Sequence, residues 1–299
     1  MSVFEDCKVA FIGFGEAASA FVKGWELYAL GKVLAYDIKT DSSDDAITNG
    51  KWTDYQKSGV IGKKTLSDAI SEAGVIFSLV TANQAQIVAE EASHYMWSGA
   101  FYFDCNSCAP ETKRLNADVI HSAGGRYVDV AVMAPVYPKL HKTPISMSGV
   151  HSKDAKVVFD AFGMNATLVE GDVGAASSIK MIRSIMMKGM EGLFAECVLA
   201  GRRANVEEVV LDSLDKTYPN FDFKAKAAYM LERSMTHGVR RAAEMREVVK
   251  TVEGLGLQGD MAKATVEWQQ RIGDLQLTAC ESEGYSVRAD KILSALQKD

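Results

Sequence analysis

The chain has 299 residues and a mass of 32.5 kDa, more than most single hydrophobic cores accommodate, which predicts two domains. Hydrophobic residues make up 47% of the sequence and charged residues 24%, a composition typical of a soluble globular protein rather than a disordered one. The formal net charge of −6, without any block of Lys and Arg, argues against nucleic acid or a membrane surface as the main partner.

The N-terminal segment and the cysteines bear on the cellular compartment. The segment "MSVFEDCKVAFIGFG" has no charged region followed by a long apolar run, so we expect no signal peptide. No stretch reaches the roughly 18 uninterrupted apolar residues of a membrane span. Five cysteines, an odd number scattered along the chain, are typical of reduced thiols, and we expect a cytoplasmic protein.

The pair Cys105 and Cys108 in "CNSC" has the spacing of a redox or zinc motif. A thioredoxin-like site would open a helix near the start of its domain, and a zinc site would need a second pair. Neither condition is met in the sequence, so we favour burial or chance over redox or metal chemistry, and we expect no metal.

The first half of the chain alternates β-rich runs with helical patterns. Strands are predicted, in chain order, at "KVAFIGFG", "KVLAYD", "GVIFSLVT", "GAFYFDCN", "GRYVDVAVM" and "TPISMSGV". Helical periodicity is found at "EAASAFVKGWELY", "LSDAISEA", "NQAQIVAEEASHYM" and "SKDAKVVFDAF". This alternation predicts an α/β fold with a doubly wound, mostly parallel sheet and helices on both faces.

The pattern changes near Asp172. Long segments of helical periodicity follow, of which "VEEVVLDSLDKTY", "KAKAAYMLERSMTHGVRRAAEMREVVKTVEGLG" and "DMAKATVEWQQRIGDLQL" are the clearest. Four of the five prolines precede residue 172. We therefore predict a boundary near residues 170–174, with an α/β domain over 1–170 and an all-α domain over 171–299.

A glycine turn, "GFGEAA", follows the first strand and opens the first helix, with the spacing G-x-G-x-x-A. Gly13 permits the tight turn, Gly15 lets a pyrophosphate approach the backbone, and Ala18 lets the helix pack closely on the strand. The helix N-terminus would present unpaired N–H groups to the phosphates. The alternative is a purely structural turn. The predicted dinucleotide-binding residues of this turn are Gly13, Phe14, Gly15, Glu16, Ala17 and Ala18.

Asp37 ends the second strand, about where an acidic residue binds the adenosine ribose hydroxyls of a dinucleotide. A carboxylate there repels a 2′-phosphate, which favours NAD. Lys39 lies two residues further on and is able to accommodate that phosphate, so NADP stays possible. The alternative for Asp37 is a turn or cap residue.

Loops after the later strands are the expected ligand positions in an open α/β sheet. Val80, Thr81 and Asn83 follow one strand, and Asn106 and Ser107 follow the next. We predict cofactor contacts for the first three and for Asn106, and a substrate or nicotinamide contact for Ser107. Turn formation alone is the alternative for these residues.

The helical stretch "GAASSIKMIRSIMMKG" carries a polar stripe. At about 100° per residue, Ser177, Lys180, Ser184 and Lys188 share one face, and Arg183 and Met187 flank it. A second set, expected to form the buried opposite side, comprises Ile179, Ile182, Met186 and Met190. Lys180 is then either a solvated charge or a proton-transfer residue. On a later helix, His237, Arg240 and Arg241 would lie on a solvated face, with pairing to Glu244, unless that helix faces a ligand.

Four motifs resemble the β-hydroxyacid dehydrogenase family, which includes 3-hydroxyisobutyrate and 6-phosphogluconate dehydrogenases. "VAFIGFGEAA" is similar to the family's dinucleotide fingerprint, and "FDCNSCAPET" to its D-x-S-T-x-x-P-x-T segment. "YVDVAVMAPV" lies where the family has D-A-P-V-S-G, and "GDVGAASSIKMIRS" resembles the segment that carries the catalytic lysine. After about residue 195 the resemblance is to a 6-phosphogluconate-dehydrogenase-like branch, through "MTHGVRRAAEM".

The resemblance implies a Rossmann domain followed by an all-α domain, hydride transfer between NAD(P) and a β-hydroxyacid, and a cleft between the domains. It implies that Lys180 is the general acid/base and that Ser107 lies near the nicotinamide or substrate. It also implies a homodimer or homotetramer. Long amphipathic helices rich in Met, Ala and Leu favour an interface through the helical domain.

Two departures from the family pattern affect the predicted substrate site. The asparagine expected four residues after the lysine is Ser184, and the Ser-Gly-Gly of the substrate loop is Met133, Ala134 and Pro135. A short hydroxyacid bound in the usual way is therefore not expected. Arg183 or His237 would supply replacement contacts to an anion or hydroxyl.

The sequence thus predicts an NAD(P)-dependent oxidoreductase acting on a hydroxy-carboxylic acid or a related alcohol. Two alternatives stay open. One is an imine reductase of the same architecture, against which Lys180 counts. The other is a dinucleotide-sensing protein without turnover.

Overall fold

The computed structural model describes residues 8–25 and 33–297. The chain divides into two compact units, Met1–Lys180 and Met181–Asp299, and the predicted boundary near residues 170–174 lies within the first of them. The end of the predicted helix "EAASAFVKGWELY" and the start of "KVLAYD" lie outside the described residues.

The first unit contains one eight-stranded sheet in the order β3-β2-β1-β4-β5-β6-β7-β8, formed by described residues. Every strand pair is parallel except β6 with β7, which is antiparallel. The predicted mostly parallel sheet is therefore confirmed. The strands are β1 (Lys8–Ile12), β2 (Val33–Tyr36), β3 (Ile61–Gly62), β4 (Ala73–Ser78), β5 (Phe101–Asp104), β6 (Arg126–Val132), β7 (Ile145–Ser148) and β8 (Ala166–Leu168).

Helices cover both faces of this sheet, and so its strands are apolar on both sides. Alternation along β1 sends Phe11 to one face, where it stacks on Phe77, and Ala10 and Ile12 to the other. The helices of the first unit are α1 (Glu16–Trp25), α2 (Asp45–Ser58), α3 (Leu66–Ile70), α4 (Ala85–Ser93), α5 (Pro110–Ser122) and α6 (Ser152–Ala161).

A long helix, α7 (Ala175–Ala204), begins in the first unit and continues into the second. The described residues of the second unit form helices joined by turns and loops, without a strand, as predicted. Its apolar side chains form two clusters, one including Phe194 and Leu231 and the other Met181 and Met245. The remaining helices are α8 (Glu207–Thr217), α9 (Phe223–Gly254), α10 (Asp260–Asp274) and α11 (Tyr285–Leu296).

Candidate active site

The glycine turn closes against the carboxyl ends of two neighbouring strands. Gly13 has a φ of +81° and donates its N–H to the Tyr36 carbonyl at 2.8 Å. A Cβ at Gly13 would lie 2.5 Å from the Leu79 carbonyl oxygen. Both the left-handed backbone and the close approach require glycine at this position.

Gly15 differs from Gly13, since a Cβ there would meet no atom within 4 Å. Nothing in the fold of the described residues thus requires a glycine, and the absence of a side chain leaves space in front of the α1 N-terminus. Ala18 is completely buried, as close packing of α1 on the sheet requires. Glu16 is exposed and Ala17 is half-buried. An open, N–H-lined cradle of this kind fits a pyrophosphate.

The Phe14 peptide is held from two sides. Asp37 Oδ2 accepts the Phe14 N–H at 2.8 Å, and Asp37 Oδ1 accepts the Lys39 N–H at 3.0 Å. Lys51 Nζ, buried on α2, donates to the Phe14 carbonyl at 2.7 Å. Asp37 is therefore a cap residue, as the alternative interpretation held, and its contact with a ribose stays a prediction. The Lys39 side chain is exposed.

The Phe14 side chain does not line the cradle. It is fully buried and packs with Phe11 and Tyr55. Both polar groups of the Phe14 backbone are already hydrogen-bonded, so its predicted contact with a cofactor stays a prediction. Lys51 was not predicted from the sequence, because no helix was predicted over Asp45–Ser58.

Asn106 braces the loops that follow β4 and β5. Its side-chain oxygen accepts the Val80 N–H at 2.7 Å, and its amide nitrogen donates to Ser78 Oγ at 2.9 Å. The side chain is buried, so the structure assigns it a bracing role, and its predicted contact with the cofactor stays a prediction. Thr81 and Asn83 are exposed at the same edge of the sheet.

Lys180 and Ser107, predicted from separate motifs, are in contact. Lys180 Nζ donates to Ser107 Oγ at 2.5 Å, within the first unit and at the carboxyl end of β5. Lys180 is half-buried. The solvated-face interpretation therefore does not describe Lys180. An amine and a hydroxyl held together at a strand end are able to share a substrate oxygen and move its proton.

A buried charged cluster lies beneath this pair. Lys113 Nζ donates to Asp104 Oδ1 at 2.9 Å and lies 3.5 Å from Asp129 Oδ1, and the three residues are completely buried. Burial acts to raise the pKa of Asp104, but the Lys113 charge and hydrogen bonds from Asn116, Lys113 and Tyr127 outweigh it, so the pKa falls below its ordinary value. Burial acts to lower the pKa of Lys113, but the Asp104 and Asp129 charges and the hydrogen bond to Asp104 act together to raise it above its ordinary value.

Asp129 holds the beginning of α7. Its Oδ2 accepts the backbone N–H groups of Gly174 at 3.1 Å and Ser177 at 3.0 Å, and the hydroxyls of Ser177 and Ser148. A carboxylate at a helix N-terminus satisfies N–H groups that have no intrahelical partner. The sequence analysis missed the Asp104–Lys113–Asp129 cluster entirely.

The predicted substrate loop follows β6. The Met133 N–H donates to the Pro144 carbonyl at 2.9 Å. Met133 and Ala134 are half-buried, and Pro135 is exposed. Tyr137 is 47% exposed and has Lys23 Nζ 6.0 Å from its ring centroid. The loop therefore lies at the same end of the sheet as Ser107, on the neighbouring strand.

The remaining predicted substrate residues lie in the second unit. Arg183 is exposed, Ser184 is buried and accepts from Lys188 Nζ at 3.1 Å, and His237 is half-buried. Burial and the neighbouring Arg233, Arg240 and Arg241 lower the pKa of His237. Their contact with a substrate stays a prediction.

The two arginines after His237 differ from one another. Arg240 is solvated and pairs with Glu244 at 2.6 Å, as predicted. Arg241 does not lie on a solvated face, because it pairs with the buried Glu191 at 2.6 Å.

The prediction of which side of α7 is buried is wrong. Ile179, Ile182 and Met186 are 44%, 48% and 65% exposed, and Met190 is half-buried. The polar side is the covered one, because Ser177 bonds Asp129 and Lys188 pairs with Glu244 at 3.0 Å.

Cys105 and Cys108 are buried, and burial raises the pKa of the Cys105 thiol to about 12. Their position in the core agrees with the interpretation of "CNSC" as a buried segment. Over residues 8–25 and 33–297, no group of three or more His, Cys, Asp or Glu is placed to hold a metal. No helix in those ranges has the length and apolarity needed to cross a membrane.

Comparison with known proteins agrees with the geometry of the turn. Residues 8–171 match the family described as the NAD binding domain of 6-phosphogluconate dehydrogenase. Residues 202–272 match a domain of unknown function, DUF1932. The predicted dinucleotide-binding domain and its NAD cofactor are thereby confirmed.

Whole-chain relatives share this organisation. A conserved hypothetical protein from Sinorhizobium meliloti is 34% identical, with 97% of this chain and 96% of that chain covered and a TM-score of 0.76. A 28.5 kDa protein of Methanothermus fervidus is 25% identical over 86% of this chain and 96% of its own length. The fold is shared with Mycobacterium tuberculosis 3-hydroxyisobutyrate dehydrogenase bound to L-serine, at 12% identity, coverage of 96% and 99%, and a TM-score of 0.71. The chain therefore belongs to the β-hydroxyacid dehydrogenase family, with an N-terminal NAD-binding domain followed by a helical C-terminal region.

Proposed function

We propose that this protein is an NAD(P)-dependent oxidoreductase that interconverts a hydroxy-carboxylic acid, or a related alcohol, and its carbonyl form. The contact between Lys180 Nζ and Ser107 Oγ carries this proposal. An amine and a hydroxyl thus lie together at the end of the sheet where the glycine turn also opens, which supports a role in proton transfer. Family membership supports the same reaction class.

The residues fit a dinucleotide, because the cradle at Gly15 is open and the N-terminus of α1 faces it. The bound nicotinamide would supply the hydride acceptor for oxidation and the hydride donor for reduction. In oxidation, Lys180 Nζ would take the proton of the substrate's hydroxyl as the carbonyl forms. In reduction, the Lys180 ammonium returns that proton to the new alkoxide oxygen.

Ser107 would orient the reacting oxygen. Its Oγ accepts from Lys180, and its own O–H proton is then directed to another acceptor. A substrate oxygen placed between the two groups would receive hydrogen bonds from both. Such a fixed arrangement contributes to catalysis by positioning as well as by proton transfer.

We favour NAD over NADP. Asp37, Asp41, Asp44 and Asp45 follow β2, and their negative charge opposes a 2′-phosphate, whereas Lys39 would attract one. Fluorescence titration with NADH and NADPH tests this preference. Tighter binding of NADPH would reverse it.

We further propose that the substrate is larger or more apolar than a short hydroxyacid. Met133, Ala134 and Pro135 supply no side-chain hydroxyl, and the exposed Tyr137 is available to pack on a ring or to bond a hydroxyl. Arg183, Ser184 and His237 are the proposed anion or hydroxyl contacts from the second unit. The free thiols at Cys105, Cys197 and Cys280 are in keeping with a cytoplasmic location.

The reduced-cofactor absorbance, followed with a panel of hydroxy acids and alcohols, tests the function. Turnover that falls about 10²-fold or more in Lys180→Ala, with NADH still bound, is the expected result. Lys156→Ala is the control, because Lys156 lies on α6 of the same unit and pairs with the exposed Asp160. Tight cofactor binding without any turnover would favour the sensing alternative, and turnover of imines alone would favour an imine reductase.

A further inference from the structure

Lys113 is a fully buried lysine that the proposed chemistry does not use. Its Nζ donates to the Asp104 carbonyl at 2.6 Å and to Asp104 Oδ1 at 2.9 Å, and it faces Asp129 Oδ1 at 3.5 Å. Asp129 Oδ1 makes no hydrogen bond among the described residues. A buried ammonium carries a desolvation cost that only close pairing offsets, so its position needs a physical reason.

The two carboxylates lie opposite each other on neighbouring strands. Asp104 ends β5, and its register partner on β6 is Asp129. Two like charges at paired positions of a sheet repel one another, and burial strengthens the repulsion. Lys113 supplies a positive charge between the two carboxylates, and this charge offsets their repulsion.

Asp104 determines the path of the chain toward Ser107. Its Oδ1 accepts the N–H of Asn106, the residue before Ser107, at 3.0 Å. The carbonyl bond from Lys113 fixes the same end of β5. Ser107 is therefore one residue away from a segment that Lys113 and Asp104 hold together.

Asp129 determines the position of Lys180. Its Oδ2 accepts the N–H groups of Gly174 and Ser177 in the first turn of α7. Lys180 follows Ser177 by three residues, about one turn of the same helix. A displacement of the Asp129 carboxylate would therefore move the helix that carries Lys180.

We propose that Lys113 is a positioning residue that sets the distance between Ser107 and Lys180 by holding Asp104 and Asp129 in fixed relation. It touches neither reacting group, and it acts on both through the two carboxylates. This inference rests on the proposed role of Lys180 in proton transfer. A purely stabilising role is the competing explanation, and loss of stability alone does not distinguish the two.

The test uses Lys113→Met and the double variant Lys113→Met/Asp104→Asn. The asparagine keeps an acceptor for the Asn106 N–H and removes one of the two carboxylate charges that Lys113→Met leaves without their cation. We expect the double variant to be more thermally stable than Lys113→Met. Its kcat should stay about 10-fold or more below that of the parent protein, and its NADH Kd should lie within about 2-fold of the parent value. In its crystal structure, Ser107 Oγ and Lys180 Nζ should be more than about 3.5 Å apart.

Lys51→Met is the matched control, because Lys51 is a second buried lysine and holds the glycine turn instead. It should weaken NADH binding and leave the Ser107–Lys180 distance unchanged. Should Lys113→Met fail to fold, Lys113→Gln takes its place, since glutamine is shorter and reaches fewer of the three oxygens.

Recovery of kcat together with stability in the double variant, or an unchanged Ser107–Lys180 distance, would overturn the positioning role. If the parent protein turns over no substrate, the proposed function fails. The distance in the variant structures still decides whether Lys113 positions the pair.

Discussion

Lys180 Nζ and Ser107 Oγ lie 2.5 Å apart, although 73 positions separate the two residues in the chain. Ser107 reaches this point from the end of β5, and Lys180 reaches it from the second turn of α7. Two independent segments therefore converge on one hydrogen bond, and this convergence distinguishes a candidate proton-transfer site from a solvated lysine.

Replacement of Ser107 tests the importance of that hydrogen bond. Ser107→Ala removes the acceptor of Lys180 and the hydroxyl proposed to orient the substrate, and we expect kcat to fall about 10- to 100-fold, the value of a hydrogen bond to a charged group. Ser107→Thr keeps the hydroxyl and should retain most of the activity. Steady-state kinetics with both variants makes the comparison. Equal losses in the two would show that the side-chain volume, and not the hydroxyl, is what matters.

Alanine substitutions at Gly13 and Gly15 should distinguish an effect on stability from an effect on cofactor binding. Gly13→Ala places a Cβ against the Leu79 carbonyl and forces alanine into the left-handed region, so we expect the free energy of unfolding to fall by about 1–3 kcal/mol. Gly15→Ala meets no atom and should leave stability within about 0.5 kcal/mol while weakening NADH binding. Urea unfolding and fluorescence titration measure the two effects. Unchanged NADH affinity in Gly15→Ala would contradict the assignment of the cradle to the pyrophosphate.

The buried Asp104 should make stability fall in acid. Its pKa in the folded state lies below the ordinary value of 3.8, because the Lys113 charge and hydrogen bonds outweigh the effect of burial. Its contribution is therefore present above about pH 4 and is lost as the pH falls through the folded-state pKa. Asp104→Asn should lower stability at pH 7 by roughly 3 kcal/mol and flatten the acid limb of the stability curve.

Urea unfolding at pH 7 and at about pH 3.5 measures both effects. Asp118→Asn, an exposed residue on the same helix as Lys113, serves as the control and should change neither value. An acid limb as steep in Asp104→Asn as in the parent protein would assign the loss of stability to other carboxylates.

The sequence predicted the main strands of the sheet because their β-rich runs alternate with helical periodicity. It missed β3 and β8, which have two and three residues and carry too few side chains for a pattern. It also missed α2, whose buried residues are Lys51 and Tyr55. A helix with a buried lysine has no apolar stripe for periodicity to detect.

The same limit applies to the site. Gly13, Gly15 and Lys180 stand in motifs with known spacing, and the structure brings Lys180 to Ser107. Lys113 stands in "ETKRL", a stretch typical of a solvated helix face, and only the register of β5 with β6 shows why it is buried. Periodicity along α7 separated two faces correctly but did not determine which one is covered.

The exposed apolar side of α7 should be an interface between two copies of this chain. Ile179, Ile182, Met186 and Leu193 are 44–65% exposed and recur at helical spacing along one side of the helix. A contiguous apolar stripe of this kind is costly in water and is typical of a self-associating surface. We therefore expect a homodimer or homotetramer at micromolar concentration, measured by light scattering after size exclusion.

Ile182→Glu should raise the dissociation constant about 10-fold or more, because a carboxylate buried without a partner opposes association. Val157→Glu, on an exposed site of α6, is the control and should leave the assembly intact. A parent protein that is monomeric under these conditions would contradict the expected assembly. An assembly that Ile182→Glu leaves unchanged would show that the interface lies outside this side of α7.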